Sequence, residues 1–354
     1  MSESFVSNDF DNQVDGAAFG VVTLANEMVR VVIVPDKGCD VHELRDQKSG
    51  IDVLAKTRLT LADVQPQRFW RSSSEAWLSQ YVGGWQLLLP NGGAAAVVDG
   101  VEWGFHGEAC MLRWTVEELS SATLRASVRL TSAPLRVERD FELRGTTLRL
   151  TERLTNESNN PISFMWSQHP AFGAPFLDAS CLIAAGASEV VADDEAPGTT
   201  MAPGSVHQWP EVTTINGEPL RLDVMPAPGS GEACLAYLAD FESGYFAITN
   251  PGLQLGVAMA WPLDVFPFAW YWIEAGASKG FPWFGDHYTL AVEPASSIPA
   301  QGMGVLEEKG GTPFELGARE NIEAEFEVTI FHDHRRVSRV LRGGIIEFEG
   351  QAIA

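Results

Sequence analysis

The chain has 354 residues, of which 45% are hydrophobic and 20% charged, and this supplies enough apolar side chains for a large core. Such a composition excludes an intrinsically disordered protein. The 47 acidic and 24 basic residues give a formal net charge of -23, which repels phosphate backbones and anionic lipid headgroups and argues against nucleic-acid and membrane partners.

The length would allow two average domains, but large β-sandwiches of this size fold as one unit, so we expect a single domain over residues 1–354. The N-terminal residues lack the basic and apolar regions of a secretory signal, and no apolar run has the length of a membrane span. We therefore expect a cytoplasmic protein. The oligomeric state stays open, with a homodimer as one alternative. Four isolated cysteines predict buried free thiols in a reducing compartment: Cys39, Cys110, Cys181 and Cys234.

Along the chain, alternation of apolar and polar residues with a period of two predicts a succession of β-strands. Within 323–331, for example, Ala324 and Phe326 oppose Glu323 and Glu325. Turn-forming residues separate these segments, and no long amphipathic helix pattern competes with them. We predict an all-β fold, a large antiparallel β-sandwich with one solvated sheet face. The predicted strands cover residues 28–34, 123–130, 135–143, 147–154, 245–249, 253–259 and 323–331.

The stretch 192–231 is rich in proline and glycine and shows little periodicity. Such a composition is typical of a domain linker, but Trp209, Val212 and Leu220 favour a long insertion that packs against the sheet. We predict no domain boundary there.

Tryptophan is frequent, with 11 in the chain, and several stand beside loop-forming residues. Trp85 follows two glycines, Trp272 lies in an aromatic run, and Trp283 stands between a proline and a phenylalanine. Flat aromatic faces suit pyranose rings, whose axial C–H bonds form an apolar patch. Ordinary core packing is the alternative for each of these side chains.

Three polar residues could carry acid–base chemistry. His106 precedes a glycine that allows close approach of backbone or ligand. His169 lies at the exit of a predicted strand, and the ordinary histidine pKa of about 6.5 makes it both an acid and a base near neutral pH. Glu293 ends an apolar strand before a proline, and an aromatic pocket would raise the pKa of its carboxyl towards that of a general base. A backbone-bonded bend is the alternative for His169, and a surface position is the alternative for Glu293.

Two other kinds of active site are alternatives to this acid–base chemistry. A glycoside hydrolase would use two carboxylates, Glu293 with Glu274 or Asp286. His332 and His334 are two apart on a predicted strand, as in a cupin-like metal site, but no further ligand-spaced residue accompanies them. We therefore expect surface histidines and no bound metal.

Taken in order, four segments resemble the aldose 1-epimerase (galactose mutarotase) family: His106-Gly107, Leu154-Thr155-Asn156, His169-Pro170-Ala171-Phe172 and Val292-Glu293-Pro294. The resemblance covers most of the chain. It implies a large β-sandwich, often called a supersandwich, that binds a small-molecule sugar in a rim cleft. By this resemblance His169 is the general acid, Glu293 is the general base, and His106 hydrogen-bonds the sugar. The α and β anomers would interconvert by ring opening and closure, which requires no cofactor.

The chain departs from the family pattern in ways that leave the sugar unassigned. The Asn-Arg pair common before the His-Gly element is absent, Ala171 stands where an aromatic residue is usual, and Glu108 stands where glycine is usual. A noncatalytic carbohydrate-binding protein on the same fold remains the main alternative. The candidate substrate contacts, besides His106, are Arg71, Trp85, Gln86, Glu108, Gln168, Trp272, Glu274 and Trp283.

Overall fold

The structure is a computed structural model that describes residues 5–7, 19–64, 69–195 and 201–350. Within these ranges the chain forms 25 strands, one α-helix, α1 (Ser73–Leu78), and one 3₁₀-helix (Ala109–Met111). No helix among the described residues has the length and hydropathy that a membrane span requires. The strands are β1 (Phe5–Ser7), β2 (Val22–Ala25), β3 (Val29–Val34), β4 (Asp40–Asp46), β5 (Trp85–Leu88), β6 (Ala96–Val98), β7 (Val101–Trp103), β8 (Thr115–Leu119), β9 (Thr123–Arg129), β10 (Leu135–Arg144), β11 (Thr147–Asn156), β12 (Ile162–Phe164), β13 (Ser167–Gly173), β14 (Leu182–Ala192), β15 (Val206–Gln208), β16 (Glu211–Thr213), β17 (Pro219–Arg221), β18 (Glu232–Asn250), β19 (Leu255–Ala260), β20 (Phe268–Ala275), β21 (Tyr288–Ala295), β22 (Phe314–Leu316), β23 (Asn321–Phe331), β24 (Val337–Leu341) and β25 (Ile345–Phe348).

Two antiparallel ladders share the long strand β18. The first runs β1-β2-β3-β4-β5-β13-β21-β20-β18, and the second runs β8-β9-β10-β11-β23-β19-β18. β14 pairs with β18 along both halves, across a register shift between Ala185 and Ala187. Trp85 of the first ladder meets Phe326 of the second edge to face, with ring centroids 6.3 Å apart. The two sheets therefore pack on each other, and the predicted antiparallel β-sandwich is confirmed.

The predicted alternation is clearest in β10, where alternate side chains from Leu135 to Leu143 are buried. β23 differs from the prediction of one solvated face, because Glu327 is buried together with its apolar neighbours. The reason is the hairpin β24–β25, whose turn lies over this side of β23 and donates the Gly343 N–H to the Glu327 carboxylate at 2.6 Å. The hairpin thus covers part of the face that the pattern assigned to water.

The predicted insertion at 192–231 packs against the sheet in its described part. β15, β16 and β17 continue the sheet outward from β14. Trp209 contacts the Tyr271 ring of β20, with centroids 5.7 Å apart, and Val212 is buried. Residues 196–200 lie outside the described residues. The four cysteines are buried free thiols, as predicted.

A buried ion pair joins the neighbouring strands β10 and β11. Arg139 and Glu152 are register partners with fully buried side chains, and they pair at 2.7 Å. Gln168 donates to Glu152 at 2.8 Å and accepts a hydrogen bond from the Trp85 indole at 2.9 Å. Because buried charges are tolerated only when they are paired and hydrogen-bonded, these four side chains act as one polar unit inside the sandwich.

We expect Arg139→Met to lower the free energy of unfolding by about 3–5 kcal/mol, because the change leaves the Glu152 carboxylate buried without its cation. Urea denaturation measures the effect. The matched control is Arg153→Met, which breaks the half-exposed pair with Glu323 and should cost at most about 1 kcal/mol. Equal losses in the two variants would contradict a structural role for the buried pair.

Candidate functional site

His169 and Glu293 lie side by side on neighbouring strands. β13 and β21 pair antiparallel with Ser167 opposite Ala295 and Ala171 opposite Ala291, a register that sets His169 opposite Glu293. The two residues are only 4% and 3% exposed, and His169 Nε2 lies 3.9 Å from Glu293 Oε1. Strand pairing thus joins two residues that are far apart in sequence.

The pair lines a cavity of about 340 Å³, a size within the usual range for small-molecule sites. The walls are largely aromatic, and the polar lining side chains are His106, His169, Glu293 and Gln301. The aromatic lining residues are Trp77, Phe105, Trp270, Trp272 and Trp283.

Trp272 supplies an aromatic surface next to His169, with ring centroids 6.1 Å apart. It is the register partner of Ala291 and packs on a cluster that also contains Ala171. Because the side chains at these two positions are small, the indole has room above them. The Trp272 indole thus lies beside Ala171 in this cluster.

The His106-Gly107 element has a specific backbone conformation. His106 has a φ of +58° and Gly107 a φ of +74°, and a Cβ at Gly107 would lie 2.2 Å from the Leu89 carbonyl oxygen, so only glycine fits there. His106 Nδ1 accepts the Gly93 N–H at 3.0 Å, which assigns the ring proton to Nε2. His106 therefore offers one N–H donor from a fixed ring.

The helix α1 brings Trp77 to the cavity, a residue that the sequence analysis missed. Ser72 caps the helix by accepting the Glu75 N–H at 3.1 Å, and Ser73 Oγ accepts the Phe105 N–H at 3.1 Å. The Trp77 ring lies 5.9 Å from the His169 ring. The Ser-x-x-Glu spacing at 72–75 is the signal that could have revealed this helix.

Gln301 is a second missed residue. Its amide nitrogen donates to Asp193, which also accepts the Tyr237 hydroxyl. Tyr237 in turn accepts the Ala300 N–H at 2.9 Å. The amide oxygen of Gln301 has no hydrogen-bond partner among the described residues and is shielded from solvent.

Burial sets the charge state of the site. It raises the pKa of Glu293 well above its usual range and lowers the pKa of His169 to about 4. Burial, and to a smaller extent the nearby His169, lowers the pKa of His287 to about 4. Burial and His169 also hold the pKa of His106 well below its usual range. Burial therefore favours the neutral form of the carboxyl and of the imidazoles.

Several polar atoms at this site have no partner within the described part of the chain. They include His169 Nδ1, Glu293 Oε2 and the hydroxyl of Tyr81, whose ring lies 5.6 Å from that of His169. His287 Nε2 is also unpartnered, and this ring stacks on Trp283 at 4.2 Å. Tyr81 and His287 do not line the cavity, and these atoms are shielded from solvent, so the neighbourhood of the pair concentrates buried polar atoms that lack partners within the described residues.

Of the sequence candidates, His106, His169, Trp272, Trp283 and Glu293 meet at this cavity. Six others are used elsewhere. Trp85 and Gln168 belong to the polar unit in the core, and Gln86 donates to Asp40 at 2.8 Å. Glu108 accepts four hydrogen bonds from the turn at 131–132.

Glu274 binds a loop: it accepts the N–H groups of Ala277 and Ser278 at 2.5 and 3.2 Å. Arg71 and Asp286 are exposed and do not line the cavity. Glu293 is consequently the one carboxylate among the cavity-lining residues described, so the two-carboxylate hydrolase lacks its second group.

The two histidines of the metal alternative point to separate partners. His332 Nε2 lies 3.2 Å from Asp46, and His334 Nδ1 lies 3.8 Å from Asp333. Over the described ranges, the chain contains no group of three or more side chains arranged to ligate a metal.

We expect the pH dependence of stability to report these buried imidazoles. A histidine with a lowered folded-state pKa takes up protons more readily when unfolded, so it costs stability as the pH falls from about 6.5 towards 4. His287→Gln should flatten this slope by up to about 1.4 kcal/mol per pH unit, measured by denaturation between pH 4 and 7. Identical slopes in the His287 variant and the wild type would contradict the assignment.

The two joined antiparallel ladders form a β-sandwich of the galactose mutarotase-like fold. The chain superimposes on a galactose mutarotase-like protein from Clostridium acetobutylicum with a TM-score of 0.65 at 14% identity, over 93% of this chain and 99% of that chain. A galactose mutarotase related enzyme from Lactobacillus acidophilus matches with a TM-score of 0.59 at 15% identity, over 89% and 98% of the two chains. A galactose mutarotase-like protein from Lactobacillus casei matches with a TM-score of 0.58 at 16% identity, over 88% and 100%.

By sequence, the chain belongs to the family described as a domain of unknown function (DUF4432), whose model matches residues 16–330. A search of curated proteins gives no match. The resemblance to the mutarotase family is confirmed as a resemblance of fold.

Proposed function

We propose that this chain is a single-domain isomerase of the aldose 1-epimerase type that interconverts the α and β anomers of a sugar in this cavity. The observation that carries the proposal is the His169–Glu293 pair in an aromatic-walled cavity. The separation of 3.9 Å between His169 Nε2 and Glu293 Oε1 is too long for a hydrogen bond, so neither atom is held by the other. Both groups are thus free to bond oxygens of one sugar.

The reaction needs one acid and one base. The base removes the proton of the anomeric hydroxyl while the acid protonates the ring oxygen, and the bond between C1 and the ring oxygen breaks. Rotation about the C1–C2 bond turns the aldehyde, the C5 hydroxyl attacks its other face, and both protons return. One group must begin protonated and the other unprotonated, and no net proton is consumed. The pair must therefore hold one transferable proton in total.

The family resemblance makes His169 the acid and Glu293 the base. Burial favours the opposite distribution, because it lowers the pKa of His169 and raises that of Glu293. Ring closure reverses each transfer made in ring opening, so both distributions use the same two groups in alternating roles. Our proposal therefore assigns the reaction to the pair that shares one proton.

The pH profile of kcat/KM follows from this requirement. As the pH falls, His169 becomes protonated and the pair then holds two protons and has no base. We therefore expect an acid limb with an apparent pKa near 4. As the pH rises, the pair loses its only proton, so the basic limb should begin well above the ordinary carboxyl range. Polarimetry, corrected for the spontaneous reaction, gives the profile. An acid limb near the ordinary histidine value of about 6.5 would contradict the neutral, buried imidazole.

The test of function is anomer interconversion over a set of aldoses. Freshly dissolved α anomers are followed by polarimetry with and without protein, and we expect the protein to accelerate equilibration of at least one sugar. Tight binding of a sugar without acceleration would support the noncatalytic carbohydrate-binding alternative instead.

A further inference from the structure

The cavity carries no cationic side chain among the lining residues that the structure describes. Lys279, on the loop that leads to Trp283, does not line the cavity and donates to the Gly276 carbonyl oxygen. The lining histidines, His106 and His169, are neutral because burial lowers their pKa values. A phosphate or carboxylate buried here would have no counter-charge, which is strongly unfavourable.

The cavity also has few polar groups for a sugar with many hydroxyls. Once His169 and Glu293 engage the ring oxygen and the anomeric hydroxyl, the remaining polar side chains of the described lining are His106 and Gln301. His106 offers an N–H donor, whereas the amide nitrogen of Gln301 is bound to Asp193 and its amide oxygen is shielded from solvent. A hexopyranose carries four further hydroxyl groups, twice the number of these side chains.

Main-chain groups of the cavity wall add little, because many already have partners. The N–H and carbonyl of Gly93 both bond to His106, at 3.0 and 2.9 Å. The Ala94 carbonyl accepts from the Asn91 amide at 2.8 Å, and the Ala300 N–H donates to Tyr237 at 2.9 Å. The rest of the wall is made of indole and aliphatic surface, including Leu235. A hydroxyl held against that surface loses its water and gains no partner.

We infer that the cavity selects a neutral deoxyaldose over the parent hexose and over phosphorylated or acidic sugars. This inference rests on the proposed function, because it takes His169 and Glu293 to be occupied by the reacting oxygens. Removing one hydroxyl should favour binding in the transition state by roughly 10- to 100-fold in kcat/KM, the range by which apolar pockets discriminate single groups.

The experiment compares sugars of matched configuration. Anomer exchange is measured by two-dimensional exchange NMR for 6-deoxyglucose, 2-deoxyglucose, glucose, glucose 6-phosphate and glucuronate, and the series is repeated in the galacto and manno configurations. In the configuration that is accelerated most, we expect a deoxy sugar to exceed its parent hexose in kcat/KM at least about tenfold. The phosphorylated and acidic sugars should exchange at the rate seen in buffer.

A parent hexose that equals its deoxy sugars, or efficient exchange of the phosphate or the uronate, would overturn the inference and leave the isomerase proposal standing. If no sugar is accelerated, the isomerase proposal fails, and quenching of tryptophan fluorescence by the same panel tests selectivity alone. Tighter binding of the deoxy sugars would then support the inference, and equal or weaker binding would overturn it.

Discussion

Glu293→Gln is expected to slow catalysed anomer interconversion about 10²- to 10⁴-fold, the usual contribution of a positioned acid or base. Glutamine has the shape and hydrogen-bonding capacity of the protonated carboxyl, but it cannot give up or take a proton at the ring oxygen or the anomeric hydroxyl. Burial raises the pKa of Glu293 well above its usual range and so favours its neutral form, which glutamine resembles.

The controls for Glu293→Gln follow from that neutrality. The thermal midpoint should stay the same or rise, and sugar binding measured by tryptophan fluorescence should persist. Activity close to the wild-type level in a folded Glu293 variant would remove this residue from the mechanism.

His169→Asn is expected to reduce the rate by a similar factor of about 10²- to 10⁴-fold. Asparagine retains a polar group close to the position of Nδ1 but has no titrating nitrogen. His169 is buried and neutral, so asparagine again introduces no charge change, and a circular dichroism spectrum checks the fold. Activity that survives this substitution would exclude the imidazole as a proton carrier.

The double variant makes the prediction for His169 sharper. Two residues that act as one proton-exchanging unit give losses that do not add, so the double variant should be about as slow as the slower single variant. Losses that multiply would show that the two side chains contribute independently.

Much of the fold could be predicted because period-two alternation extends along β10, β11 and β23. The same alternation also contains a signal for the buried ion pair, because Arg139 and Glu152 both lie on the apolar faces of their strands. Opposite charges on two neighbouring apolar faces indicate a buried cross-strand pair.

Part of the site could also be predicted, because His169 and Glu293 fall in segments that resemble a known family. Gln168 is a predicted substrate contact next to His169 in the sequence. Adjacent residues of a strand, however, face opposite sides of the sheet. If His169 faces the cavity, Gln168 must face the core, where it bonds Glu152. Trp85 lies in the core instead of at the cavity, because the glycines before it belong to a bend that leads into the buried strand β5.

Gln301 and Trp77 could not be predicted as site residues from local patterns. Gln301 depends on Asp193 and Tyr237, which are 108 and 64 residues away in sequence. Trp77 depends on the contact between its helix and the backbone of Phe105. Side chains positioned by such long-range contacts have no local sequence signature.

Saturation-transfer NMR on the two anomeric protons of a bound aldose at neutral pH measures the proposed chemistry most directly. We predict exchange between the α and β signals that scales with the concentration of wild-type protein and falls to the buffer rate with Glu293→Gln. Exchange at the buffer rate with the wild-type protein, while the sugar is demonstrably bound, would contradict an acid–base pair at His169 and Glu293.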